Sequence, residues 1–217
     1  MVASDTRLRV TEIFFSLQGE ASRVGLPTVF VRLTGCPLRC GYCDTDYAFQ
    51  GGEWLDLAAI LGRVRAYPTR YVTVTGGEPL AQRACLELLS TLCDQGLDVS
   101  LETSGALDIS GVDARVARIV DVKTPGSGEE EKNHWSNLTR LTPRDEVKFV
   151  LTGESDYLWA RERLAKHALP TRCPVLFSPA WGALDAAKLA EWVLRDGLAV
   201  RVQVQLHKLL WGQEQGR

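Results

Sequence analysis

Thr28-Val29-Phe30-Val31-Arg32-Leu33-Thr34-Gly35-Cys36-Pro37-Leu38-Arg39-Cys40-Gly41-Tyr42-Cys43 joins an apolar run to a cysteine-rich loop. The run has the β-branched and aromatic content of a strand. The loop spaces its thiols as Cys-x3-Cys-x2-Cys. Three thiolates can hold three irons of a four-iron cluster and leave the fourth iron open, whereas most Fe–S carriers close every iron with a fourth cysteine. An open iron can bind a small molecule and pass it an electron. Zinc is the competing reading, but it normally needs four ligands. A distant His134, His167 or His207 could supply one, and none has finger-like local spacing.

Outward from this stretch, apolar runs alternate with amphipathic ones. Strands are expected at 8–15, 28–33, 71–75, 99–102, 118–122, 147–151, 175–177 and 200–206. Helices are expected at 55–66, 82–95, 154–167 and 184–195. Alternating strands and helices argue for parallel βαβ units with right-handed crossovers. A closed eight-fold barrel usually takes about 250 residues. A chain of 217 residues therefore reads as an incomplete, partly open (β/α) barrel, a single α/β domain over 1–217.

Ligands of such sheets collect at the carboxyl ends of the strands. Val74-Thr75-Gly76-Gly77-Glu78-Pro79 follows one expected strand, and Glu102-Thr103-Ser104-Gly105 another. Asp121-Val122-Lys123 and Phe177-Ser178-Pro179 follow two more. Two glycines permit close backbone approach, and Glu78 could accept hydrogen bonds from an ammonium group. Each segment alone reads as readily as a turn; their recurrence on one rim with the cysteine loop is the stronger sign.

Charge is nearly balanced, 25 basic against 27 acidic residues, which gives no case for a nucleic-acid or membrane-surface protein. No run approaches the roughly 18 apolar residues of a membrane span. Without an export signal, six cysteines read as reduced thiols or metal ligands, and the cytoplasm is the expected address. Cys85, Cys93 and Cys173 sit in apolar surroundings and read as small buried hydrophobes.

The cysteine loop, with Tyr42 before its last thiol, and Gly76-Gly77-Glu78-Pro79 together resemble radical S-adenosylmethionine enzymes. A narrower resemblance runs from Ile13 to about Gly212. Phe15-Ser16-Leu17-Gln18-Gly19-Glu20, 27–33, Cys43-Asp44-Thr45-Asp46-Tyr47, 121–128 and 205–212 look like the 7-carboxy-7-deazaguanine synthase family. That family contracts 6-carboxy-5,6,7,8-tetrahydropterin to 7-carboxy-7-deazaguanine with loss of ammonia, in the route to queuosine and related deazapurines. It uses a 4Fe–4S cluster, S-adenosylmethionine and Mg²⁺, typically as a homodimer.

The resemblance implies a role for each matching residue. Cys36, Cys40 and Cys43 would hold the cluster, and Thr45 would ligate Mg²⁺. Leu17, Gln18, Gly19, Arg32 and Thr75 would meet the pterin, with Arg32 forked onto its carboxylate. Tyr42, Gly76, Gly77, Glu78, Thr103, Ser104, Asp121, Val122, Lys123, Phe177, Ser178, Pro179 and Ala180 would contact S-adenosylmethionine. An adenosyl radical would take hydrogen from the substrate and be regenerated, with electrons from a donor such as flavodoxin or ferredoxin. Two departures are visible: Ala21 stands where glycine is usual, which should restrict the turn only slightly, and 126–132 reads as a solvated linker more readily than as a lid. The tail 205–217 would lie near the pterin pocket, with its polar end fraying. Other readings stay open, among them a glycyl-radical activase acting on a protein, or a non-catalytic Fe–S or zinc protein.

Overall fold

The computed structural model describes residues 6–216. β1 (Arg7–Leu17) and β2 (Pro27–Leu33) form an antiparallel hairpin, and β3 (Glu53–Asp56) pairs with the free side of β1. From β2 onward every pairing is parallel, through β4 (Tyr71–Gly76), β5 (Asp98–Thr103) and β6 (Ala117–Asp121). β7 (Glu146–Leu151), β8 (Val175–Pro179) and the short β9 (Arg201–Val202) complete the row. Among the described residues the order β3-β1-β2-β4-β5-β6-β7-β8-β9 leaves both edges unpaired, so the sheet is the open, partial barrel expected from the sequence.

Side-chain alternation gives the sheet two unlike faces. Val31 and Leu33, Val72 and Val74, Val99 and Leu101, Val147 and Phe149 belong to one apolar core. Helices α1 (Leu57–Arg65), α2 (Cys85–Asp94), α3 (Glu154–His167) and α4 (Ala186–Asp196) close that core with Ile60, Leu88, Tyr157, Leu189 and Trp192. Burying each of the larger side chains contributes about 1.5–3 kcal/mol. The intervening positions carry Arg32, Thr73, Thr75, Ser100, Glu102, Asp121 and Lys148. They stand beside one another in register, Arg32 by Thr75, Thr73 by Ser100 and Asp121 by Lys148.

Several expected boundaries shift for local reasons. Leu55 and Asp56 end β3 instead of opening a helix; Leu55 pairs with Leu8, and the Asp56 carboxylate caps α1 by accepting from Ala59 N at 2.7 Å. The helix expected from residue 82 starts at Cys85, because the Gln82 amide instead bonds both backbone groups of Arg9, at 2.8 and 2.9 Å. The strand expected over 200–206 shrinks to β9, and Leu206 opens a short helix, α5 (Leu206–Trp211). Cys85 and Cys173 are buried, while Cys93 is only partly so.

Two readings of loops are corrected. Segment 126–132 is not a free linker: Gly126 N donates to Asp156 Oδ1 at 2.8 Å, Ser127 is buried, and Trp159 Nε1 donates to Glu130 Oε1 at 2.8 Å. Ala21 adopts φ 61 and is buried. Its restriction is therefore more than slight, since a left-handed L-residue costs about 1–2 kcal/mol. Residues 1–5 and Arg217, part of the expected domain and tail, lie outside the described residues. Among the described residues no helix is long and apolar enough to cross a membrane.

Candidate active site

The polar face of the sheet lines a cleft of about 650 Å³. Cys36, Cys40 and Cys43 all reach it, with Tyr42, Thr45, Gly76, Gly77, Thr103, Ser104, Asp121, Lys123 and Ala180. Leu17, Gln18, Gly19, Arg32 and Thr75 reach it too. The cysteine loop is held in shape by its own surroundings. Cys43 N donates to Cys40 O at 3.1 Å, Gly41 N to Ser127 O at 3.0 Å, and Leu38 N to Cys36 Sγ at 3.4 Å. The Arg39 guanidinium donates to the Cys36 and Leu38 carbonyls at 2.8 and 2.6 Å while resting on the Phe49 ring. Burial pushes the Cys36 and Cys40 thiols up, and nearby Lys123 opposes that.

The two glycines are explained by contact between loops. A Cβ on Gly76 would strike the Leu33 carbonyl, and one on Gly77 would strike the Gly35 carbonyl and Cys36 Cβ. Only hydrogen fits, and the end of β4 therefore abuts the cysteine loop, with Glu78 N donating to Gly35 O at 2.8 Å. The Glu78 carboxylate does not face the cleft. It is fully buried and accepts from Leu80 N, Thr103 Oγ1, Ser104 N and Ser104 Oγ at 2.9, 2.9, 2.7 and 2.5 Å. Four donors occupy its lone pairs, so it ties β4 to β5 rather than offering itself to an ammonium group. Val122 and Phe177 are likewise turned away. Both belong to the apolar core, Phe177 edge-on to Phe149 and Tyr157. Ser178 and Pro179 are also absent from the lining, though Ser178 Oγ is buried without a partner among the described residues.

On the cleft floor, Gln18 Nε2 donates to Thr73 Oγ1 and to Glu102 Oε1, each at 3.1 Å, and Thr75 Oγ1 donates to Glu102 Oε2 at 3.0 Å. Burial, with repulsion from Glu20, raises the Glu102 carboxyl above its ordinary range. Next to it runs a chain of opposite charges. Lys148 Nζ donates to Glu20 Oε2 at 2.6 Å and lies 3.7 Å from Asp121 Oδ2, which also accepts from Lys123 Nζ at 3.0 Å. Burial works against both ammonium groups, but Glu20, Asp121 and Glu102 together outweigh it for Lys148, and Asp121, Tyr42 and Cys40 together for Lys123, so both stay above the usual lysine range. Burial also opposes ionisation of Glu20; Lys148 overrides it and holds that carboxyl low.

Arg32 Nε donates to Glu12 Oε1 at 2.7 Å, and Glu12 also accepts from Tyr47 Oη at 2.8 Å. Among the described residues the two terminal nitrogens of Arg32 have no acceptor, which leaves a planar fork for a ligand anion. Thr45 precedes a short 3-10 turn but makes no capping bond with its side chain; its hydroxyl lies 3.8 Å from Cys43 Sγ.

Sequence reasoning gave Glu20, Glu102 and Lys148 no individual role, and Gln205, His207 and Lys208 only a place in the tail near the pterin pocket; all six line the cleft. Glu102 and Lys148 carried a readable signal, single polar residues alternating with core positions along their strands. Residues 213–216, the polar end expected to fray, form part of the cleft wall together with Gly212. Lys208 Nζ pairs with Asp44 Oδ2 at 2.5 Å and anchors α5 there. Among the described residues His207 alone of the three histidines lines the cleft.

The donor set can be compared with the groups it would hold. Among the described residues no three His, Cys, Asp or Glu side chains gather closely enough to share one metal ion. Thiols spread around one cleft suit a polynuclear group with one thiolate per iron better than a single zinc. Tyr42 Oη and Asp121 Oδ1 are buried beside these thiols without partners among the described residues. Such atoms demand a polar ligand, and S-adenosylmethionine has the amine, carboxylate, ribose and adenine to meet them.

Residues 30–124 match the model of the radical SAM superfamily. The chain is 45% identical over 216 residues to a 7-carboxy-7-deazaguanine synthase of Chlorobaculum tepidum, covering 98% of each chain. It is 43% identical to a 7-carboxy-7-deazaguanine synthase of Koribacter versatilis, covering 95% of this chain and 98% of that one. Its fold superposes on the crystal structure of QueE from Escherichia coli with a TM-score of 0.74 at 26% identity, covering 93% of this chain and 95% of that one.

Proposed function

The chain belongs to the 7-carboxy-7-deazaguanine synthase family of radical S-adenosylmethionine enzymes, and from this we propose that it converts 6-carboxy-5,6,7,8-tetrahydropterin to 7-carboxy-7-deazaguanine, releasing ammonia. It is thus a carbon–nitrogen lyase on the route to queuosine. The observation that carries the reading is the meeting, in one cleft, of three free thiols, an arginine fork and two buried oxygens that have no partner among the described residues. An activase acting on a protein is not favoured, because relatives matched over nearly the whole chain bear the deazaguanine name.

Cys36, Cys40 and Cys43 would hold the cluster, and Tyr42 Oη and Asp121 Oδ1 would meet the polar groups of S-adenosylmethionine. When bound, these cofactors supply the radical that removes a hydrogen atom from the substrate and returns one to the product. The chain's own residues bind and orient. Arg32 forks onto the pterin carboxylate, while its bond to Glu12 fixes the plane of the guanidinium. Gln18 and Glu102 present an amide and a carboxyl that holds its proton to higher pH than a free one, which suits the mixed donor–acceptor edge of a pterin. Lys148 and Lys123 keep the largely buried carboxylates of Glu20 and Asp121 compensated in charge. The Thr45 hydroxyl would give Mg²⁺ one oxygen, with water and substrate supplying the others. A flavodoxin or ferredoxin would deliver the electron, and the working form would be a homodimer.

The test is anaerobic turnover. Reconstituted, reduced protein with S-adenosylmethionine, Mg²⁺ and the carboxylated pterin should give a product of deazaguanine mass and one ammonia per turnover. A fully loaded cluster that cleaves S-adenosylmethionine and makes neither would overturn the assignment while leaving the superfamily standing.

A further inference from the structure

The turn between β1 and β2 carries the floor of the cleft, since Leu17, Gln18, Gly19 and Glu20 all line it. One residue beyond, Ala21 sits at φ 61 with its side chain 3% exposed. An L-residue stays in that region only when its surroundings over-determine it. Here two contacts do so. The Ala21 methyl packs on Ile119 and Leu176. One side chain also grips both of its peptide groups: Ala21 N donates to Gln203 Oε1 at 2.6 Å, and Gln203 Nε2 donates to Ala21 O at 3.0 Å. Gln203 is itself anchored by its N–H, which donates to Phe177 O at 3.0 Å. The clamp therefore ties the edge of the parallel sheet to a turn at the other end of the chain.

Relaxation of Ala21 to negative φ would rotate the peptide that precedes it. That peptide carries the Glu20 carbonyl, so Glu20 moves with it. The Glu20 N–H, one peptide earlier, donates to Gln18 Oε1 at 3.2 Å, and the Glu20 carboxylate accepts from Lys148 and from Gln205 Nε2 at 2.6 and 2.7 Å. Gln18 in turn orients Glu102. A shift at residue 21 thus reaches each polar group on the floor through directly bonded neighbours.

We propose that Gln203 is a positioning residue for substrate binding: it locks Ala21 in the left-handed conformation and so sets Gln18, Gly19 and Glu20 against the substrate. This rests on the pterin reading of the cleft for the identity of the ligand, but not for the clamp itself. Among the described residues Gln203 has no hydrogen bond to the thiol loop. The clamped turn reaches the cofactor side through Lys148, 3.7 Å from Asp121, so substrate affinity suffers more than cofactor affinity when the clamp is lost.

In the reconstituted holoenzyme, Gln203→Ala raises KM for the carboxylated pterin about tenfold, as expected for two lost backbone hydrogen bonds, with kcat and the Kd for S-adenosylmethionine within about twofold. Gln203→Met keeps the length of the side chain without its hydrogen bonds and behaves as Gln203→Ala does. Trypsin nicking after Arg23, in the same turn, needs no substrate and quickens about tenfold in both variants as the turn opens locally. A wild-type KM in Gln203→Met overturns the proposal, since packing would then suffice. So does unchanged nicking, or a parallel loss of KM, kcat and S-adenosylmethionine affinity, which marks general unfolding. If the wild type leaves the pterin unturned, the functional reading fails and nicking alone decides the clamp.

Discussion

The two faces of the sheet are built from the same strands and differ by one step along the chain. In β4, Val72 and Val74 are buried in the core, while Thr73 and Thr75 bond to Gln18, Ser100 and Glu102. In β7, Val147, Phe149 and Leu151 pack in the apolar core, while Lys148 joins Glu20 to Asp121. The apolar face gains stability from area removed from water, a term indifferent to the exact partner. The polar face carries buried charges whose removal from water is costly unless every one is paired. Stability is therefore concentrated on one face and chemistry on the other, and residue parity decides to which a substitution belongs.

The largest expected effect lies on the polar side. Cys40→Ala should lose the intact cluster and all turnover while the far-UV circular dichroism stays that of the wild type. Turnover retained with a full complement of iron would break the assignment of that thiol. The counterpart on the apolar side is Phe149→Ala, which empties a fully buried site and should cost about 3–5 kcal/mol in denaturant titration. Its KM below the unfolding temperature should be unchanged; a raised KM would mean that the faces are not separable.

A subtler difference is expected with pH. Glu102 has its carboxyl raised by burial and by Glu20. As pH rises past the ordinary carboxylate range, the unfolded chain has lost this proton while the folded one keeps it. Unfolding then releases a proton, and this group's contribution to stability falls until pH reaches the folded pKa. Glu102→Gln lacks the term, so its stability relative to wild type should climb through that window and then level off. Parallel stability–pH curves for the two proteins would contradict the raised carboxyl. The smallest effect belongs to Ala21→Gly. Relief of the left-handed alanine, about 1 kcal/mol, is offset by loss of a buried methyl worth about 0.8 kcal/mol. The melting midpoint should hardly move, and a large drop would show that the methyl does more than fill space.

The same parity explains what could be read in the sequence. Most of the strands, the cysteine loop and Gly76-Gly77 were legible because each rests on local chemistry: periodicity, thiol spacing, and a close approach that only glycine permits. Consecutive assignments were not reliable. Asp121-Val122-Lys123 and Phe177-Ser178 look continuous as motifs, yet Val122 and Phe177 face the core. Glu78 looked available because its four donors, from Leu80, Thr103 and Ser104, are gathered only by folding. β3 was hidden because Leu55 and Asp56 merge into the apolar pattern of α1. What holds the tail at the cleft could not be read, because the Lys208–Asp44 pair spans most of the chain. Glu20 and Lys148 were invisible as a pair for the same reason.

The central claim is that the polar face recognises a carboxylated pterin, and Arg32 gives the most direct access to it. Turnover of the carboxylated pterin should be compared with that of the same pterin lacking the carboxylate, in wild type and in Arg32→Ala. A paired, charge-assisted fork should give the wild type a preference of about a hundredfold in kcat/KM, and Arg32→Ala should reduce it to near unity. Equal turnover of the two pterins by the wild type, or an undiminished preference in Arg32→Ala, would contradict the account.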